Sequence, residues 1–197
     1  MQEKINQQIK NSIELKQKLL ESPSVINAIE KASRAIINAY RNSHKIMLAG
    51  NGGSAADSQH LAAEFVNRFN FDRPGLPAIA LTTDTSIMTS ISNDSGFNKL
   101  FSRQLEAIGV EGDLFIGLST SGNSPNIIEA FLTCRKSKIF TIGFTGSTGG
   151  RMKDICDICI RVPSDETPRI QEAHILIGHI ICSITEEELF GNIRPEK

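Results

Sequence analysis

The sequence predicts an α/β fold: a three-layer α/β/α sandwich with a five-stranded parallel sheet, preceded by two N-terminal helices. Three features point there. Five short apolar runs each end in a loop of small residues, segments of helical period separate the runs, and two amphipathic stretches come before any strand signal.

The leading stretches cover about 3–20 and 24–41, the second with apolar residues at Val25, Ile26, Ile29, Ala32, Ile36 and Ile37 along one helical face. The strand-like runs are KIMLA before GNGGS, PAIAL before TTD, DLFIGLS before TSGNS, KIFTIGF before TGSTGG, and ICIRV before PSD. Their continuous apolar character fits strands buried on both faces. Helical segments at about 54–69, 85–91, 97–108, 124–137 and 169–190 alternate with them, which is the grammar of right-handed βαβ crossovers. Ligands in such folds lie beyond the carboxyl ends of the strands, so the site is expected in the loops at 50–54, 82–94, 119–124 and 145–150.

At 197 residues the chain is long enough for one domain with a large core, taken as 1–197 with 1–43 as a helical arm. Hydrophobic residues at 40% and charged residues at 22% exclude a disordered chain. A net charge of −1 lacks the positive field that sequence-independent nucleic-acid binding requires, so no nucleic acid is expected as partner. The opening MQEKINQQIKNSIELKQKLL has neither a signal core nor a spanning segment, which predicts a cytoplasmic protein with no membrane partner. The arm must be covered by its own sheet layer or by another subunit, and the second favours a homo-oligomer. Cys134, Cys156, Cys159 and Cys182 read as buried free thiols, since a strand through DICDICIRV would send Cys156 and Cys159 to opposite faces.

Ser119-Thr120-Ser121-Gly122-Asn123-Ser124-Pro125 leads from the third run into a helix, with Ser124 as N-cap and Pro125 as first helical residue. Backbone N–H groups, the positive helix end and three hydroxyls suit a phosphate ester, although ordinary turn chemistry plus a cap would look the same. Gly50-Asn51-Gly52-Gly53-Ser54 offers a second close backbone approach at the same sheet edge. Its glycines do not follow a dinucleotide fingerprint and no Walker lysine follows, so no nucleotide cofactor is expected.

His60 and Glu64 are four apart and share a helical face, as a proton-transfer pair, half a metal site or a surface contact. Leu61, Ala62, Ala63, Phe65 and Val66 around them predict a largely buried helix, where an unpaired charge is costly. The last helix carries Gln171, Glu172, His174 and His179 among aliphatic residues, and either histidine could be a satisfied core group.

Together, GNGGSAADSQHLAAEF, LTTD, SNDSGFNKLFSRQLEAIG, STSGNSPNIIEA, FTGSTGG and RIQEAHILIGHIIC resemble, in this order and spacing, the phosphoheptose isomerases of the sugar isomerase (SIS) family. The resemblance covers nearly the whole chain and implies a flavodoxin-like SIS domain. It implies substrate contacts at Asn51, Gly52, Gly53, Ser54, Asn93, Asp94, Ser119, Thr120, Ser121, Ser124 and Gln171, and a catalytic pair of Glu64 and His179. It also implies zinc held by His60, Glu64, Gln171 and His179, a homotetramer with sites at or near subunit interfaces, and a small sugar-phosphate substrate. The implied reaction converts sedoheptulose 7-phosphate to D-glycero-D-manno-heptose 7-phosphate through an enediolate, a first step toward lipopolysaccharide or other bacterial surface glycans.

One implied ligand meets a geometric objection. Gln171 and His179 are eight apart, so on one continuous helix they stand about 12 Å apart along its axis. Two long side chains converging, a helix that starts after Gln171, or ligands from neighbouring subunits would each resolve it. The competing function class is a non-catalytic SIS-domain protein that binds a replication initiator, and a third is a sugar-phosphate sensor. A pure scaffold has no evident use for costly buried His60, Glu64 and His179. The segment 163–169 varies within the family and receives no role.

Overall fold

The structure, a computed structural model, describes residues 1–194. Helices α1 (Gln2–Leu20) and α2 (Pro23–Arg41) lead, and Pro23 sits in the first turn of α2, where its missing N–H costs nothing. Then follow β1 (Ile46–Gly50), α3 (Gly53–Val66), β2 (Ala78–Ala80), α4 (Thr85–Ser95), α5 (Leu100–Ile108), β3 (Leu114–Leu118), α6 (Pro125–Lys136), β4 (Phe140–Thr145), β5 (Ile158–Arg161) and α7 (Thr167–Phe190). All strand pairs are parallel, in the order β2-β1-β3-β4-β5.

Strand alternation sorts the core into two layers. Ile46 and Leu48 of β1, with Leu114 and Ile116 of β3, pack beneath α2, α3 and α7; Met47, Ala49 and Phe115 face α5 and α6 on the other side. The chain leaves β1 toward β2 and returns across it to β3, so the crevice at their carboxyl ends is the topological switch point. GNGGS and STSGNS both open there.

Four local differences from the sequence reading have physical causes. The segment 82–94 is mostly helix, because Asp84 caps α4 by accepting from the Ile87 N–H at 2.9 Å. Helix α7 begins at Thr167 with Pro168 in its first turn, so Gln171 lies inside the regular helix. All four cysteines are free thiols, but Cys156 precedes β5 with its thiol beside that of Cys159, and both are half-buried while Cys134 and Cys182 are buried. That contact is the main reason the Cys159 thiol is lowered to about 7. Helix α3 is half-buried instead of largely buried: Leu61, Ala62 and Phe65 face the core, whereas Ala63 and Val66 are exposed.

Of the leading helices, α2 buries Val25, Ile29, Ala32 and Ile36 in the same core as α7. Helix α1 buries only Leu15 and Leu19, and Ile5, Ile9 and Ile13 form an exposed stripe at i, i+4 and i+8. Among the described residues no helix is long and apolar enough to cross a membrane.

Candidate active site

Two loops meet at the switch point. Asn51 and Asn126 exchange side-chain amide hydrogen bonds of 2.9 Å in both directions, tying GNGGS to the start of α6. Gly52 takes φ of +57°, a turn that a side chain would strain, and Gly53 begins α3. A Cβ on Gly53 would stand 2.6 Å from the Gln171 amide nitrogen, so the bare backbone leaves room for that side chain. Ser54 is buried in the first turn.

In the second loop the Ser119 hydroxyl is 2.8 Å from that of Ser124 and 3.4 Å from that of Ser121, while Ser121 Oγ accepts from the Asn123 N–H. Ser124 stands at the N-cap of α6, but its hydroxyl turns to Ser119 and makes no cap bond. Thr120 accepts from the Gly146 N–H through its carbonyl. Three hydroxyls and a helix N-terminus thus converge on one turn, a cradle suited to a phosphate's oxygens. Gly122 has φ of +65° and lies against the backbone of Gly149 and Gly150. Gly122→Ala should therefore combine left-handed strain with a backbone clash and open this cradle. We expect KM for a sugar phosphate to rise about tenfold or more, with a lowered Tm; a KM within twofold of wild type would contradict the cradle.

The reactive side chains stand farther along α3. His60 Nε2 is 2.9 Å from His179 Nε2 and 3.2 Å from a Glu64 carboxylate oxygen, and the three donor atoms all lie within 4.8 Å of one another. The His60 and His179 rings meet edge to face at 5.1 Å. Close helix approach makes this possible: a Cβ on Gly178 would come 2.5 Å from a Leu61 methyl carbon. His60 is half exposed and Glu64 is 21% exposed, so solvent and ligand reach the cluster. Two imidazole nitrogens facing each other require a proton or a cation between them, and two imidazoles plus a carboxylate are the donor set of an open catalytic metal site. The cluster can hold a metal ion.

The structure separates the two histidines of α7. His174 is fully buried, with Nε2 3.2 Å from the Thr145 carbonyl and Nδ1 unpartnered, so it is a core group. Burial pushes its pKa down to about 4. Gln171 faces Gly53, about two turns before His179. Asn93 and Asp94 lie in the last turn of α4, exposed, with Asn93 donating to Asp94 at 2.7 Å and no bond to another candidate residue among those described.

Two residues escaped the sequence reading. Asn126 pairs with Asn51 across 75 positions, for which no local signal exists. Asp57 sits three residues before His60, a helical spacing that was open to notice. Its Oδ2 is buried without a partner, and burial, opposed by His60, raises its pKa to about 6.

A parallel sheet of order 2-1-3-4-5, hydroxyl-lined loops at its switch point and a His/Glu/His cluster together define a sugar-phosphate-handling α/β domain. The chain belongs to the SIS domain family, whose model matches residues 9–146. It is 58% identical over 192 residues to the phosphoheptose isomerase of Aneurinibacillus thermoaerophilus, covering 98% of this chain and 97% of that one. It is also 58% identical to phosphoheptose isomerase 2 of Campylobacter jejuni, covering 96% of each chain. The solved phosphoheptose isomerase of Neisseria gonorrhoeae superposes with a TM-score of 0.89 at 39% identity, over 94% of this chain and 98% of the other.

Proposed function

We propose that the chain is an aldose-ketose isomerase that converts sedoheptulose 7-phosphate to D-glycero-D-manno-heptose 7-phosphate. The observation that carries this reading is the convergence of His60, Glu64 and His179 from two helices within 4.8 Å. The relatives named above support it.

In this reading the turn at Ser119, Thr120, Ser121 and Ser124 holds the phosphate, with Asn51, Gly52, Gly53, Ser54 and Gln171 along the sugar chain. Glu64 removes the proton at C1, leaving an enediolate, and returns a proton at C2. His179 takes the proton from the C1 oxygen and gives one to the C2 oxygen, so the carbonyl moves and the atoms balance. Zinc is the inferred cofactor, held by His60, Glu64 and His179, with Gln171, which faces Gly53 two turns before His179, reaching the set from a neighbouring subunit; when bound the ion would supply a Lewis acid for the carbonyl.

Glu64 stands eleven residues beyond Gly53, about 16 Å along α3. That span supports a homotetramer in which a neighbouring subunit helps to complete each site, with Asn93 and Asp94 available from their exposed turn. The exposed Ile5, Ile9 and Ile13, and an apolar groove of about 630 Å³ bordered by Ile26, Ile180 and Ile184, are surfaces suited to subunit contact.

Purified chain incubated with sedoheptulose 7-phosphate should form the aldose product, followed by carbon NMR. Saturable binding without product would indicate a sensor and overturn the enzymatic reading. Elemental analysis should find one zinc per subunit, and light scattering should give four times the chain mass of 21.6 kDa.

A further inference from the structure

Beyond α3 the chain turns through residues 67–74 before β2, and this turn is built around a fully buried ion pair. Arg73 Nε lies 3.1 Å from Glu186 Oε1, and both side chains are 1% exposed. Glu186 also accepts from the main-chain N–H groups of Phe69 at 2.7 Å and Asn70 at 2.6 Å. Arg73 also donates to the carbonyls of Glu64 at 2.9 Å, Phe65 at 2.6 Å and Pro74 at 3.0 Å.

These bonds join the two helices that carry the reactive side chains. The last carbonyls of a helix have no intrahelical partner. In α3 two of them, one being that of Glu64 itself, are taken by the Arg73 guanidinium. Glu186 stands seven residues after His179, two turns along the same face of α7. The turn that Glu186 holds sets the Phe69 ring against the His179 ring, with centroids 5.4 Å apart at 43°. Asn70 adds a bond of 3.1 Å to Ser183, between those two positions of α7.

A buried ion pair is an expensive way to gain cohesion, since apolar side chains of similar volume commonly stabilise as well or better. What apolar packing cannot supply is direction, and here the bonds to the Phe69 N–H and to the Glu64 and Phe65 carbonyls end on groups beside His179 and at the end of α3. We propose that Arg73 and Glu186 are positioning residues for the reactive pair: through the turn 67–74 they hold Phe69 against His179 and fix the end of α3 that bears Glu64. This rests on the reading that Glu64 and His179 perform proton transfer.

The test uses the full chain with Glu186→Gln, Arg73→Lys and Phe69→Leu. Steady-state kinetics on sedoheptulose 7-phosphate, at a temperature where each variant is folded, are paired with NMR of the histidine ring protons. Misplacing the reactive groups should lower kcat about ten- to a hundredfold with KM within about threefold. The His179 ring resonances should move in all three variants, because the ring current of Phe69 is shifted or lost.

Phe69→Leu leaves the ion pair intact and keeps an apolar side chain, so it decides the matter even if the other two variants do not fold. Folded Glu186→Gln or Phe69→Leu with kcat within twofold of wild type and unmoved His179 resonances would overturn the proposal. A wild-type chain with no turnover would instead defeat the isomerase reading, while the NMR arm would still report whether Glu186 controls the Phe69–His179 contact.

Discussion

Glu64→Gln is expected to lower turnover of sedoheptulose 7-phosphate by about 10² to 10⁴-fold, the range typical of a lost general base, with KM little changed. The substitution keeps size and hydrogen-bonding capacity but removes the ability to accept a proton from carbon. Glu64 lies 3.2 Å from His60 and is the one carboxylate of the three-residue cluster found among the described residues. His179→Gln should cost a similar factor, because proton exchange with the two substrate oxygens then lacks its carrier. Since the two groups serve one proton relay, the double variant should fall well short of the product of the single losses. Kinetics on the three variants, together with deuterium incorporation at C1 and C2 from heavy water, measure this. Near wild-type exchange in folded Glu64→Gln would remove the assignment of the base.

The second large effect concerns acid stability. The folded chain holds His174 neutral down to about pH 4, because burial penalises the charged ring, whereas the ordinary value is 6.5. The unfolded chain therefore binds a proton that the folded chain refuses, and stability present above pH 6.5 is lost as pH falls from there through about 4. For this one residue the loss is on the order of 3 kcal/mol, a large share of a typical 5–15 kcal/mol. In a chain of this size that corresponds to a Tm drop of about 6–12 °C. Asp57 works in the opposite sense: its carboxyl is raised to about 6 by burial, so acid relieves a buried charge. The comparison with His174→Gln isolates the histidine, since the amide can still donate to the Thr145 carbonyl and cannot take up a proton. Thermal unfolding of both proteins between pH 7 and 4.5 should show a markedly flatter profile for the variant. Parallel profiles would contradict the account.

How much of this was legible in advance depends on the range of the interaction that decides each feature. Helices and strands were readable because apolar period and end signals are local: Pro23, Pro125 and the loops after each strand lie within a few residues of the boundaries they set. The cap at Asp84 is equally local and sets the start of α4, read as a helix at 85–91 and found at Thr85–Ser95. The four thiols are free as expected, but Cys156 and Cys159 are only half-buried, since where β5 starts depends on pairing with β4, which no spacing reveals.

The sequence by itself determined the alternating α/β order, the two loops at one sheet edge, and the His60/Glu64 face, all of which follow from period, turn chemistry and side-chain spacing along a single element. The resemblance named His179, but spacing along α7 could not say which histidine meets that face, and the tertiary structure did. His174 and His179 sit in equally apolar surroundings in the chain, and the choice depends on how α7 rotates and how closely it crosses α3 at Gly178. It also decided that Asn51 pairs with Asn126 and Arg73 with Glu186, because such contacts are set by packing between elements 75 and 113 residues apart. Local propensity carries no information over that distance; the burial of shared surface does.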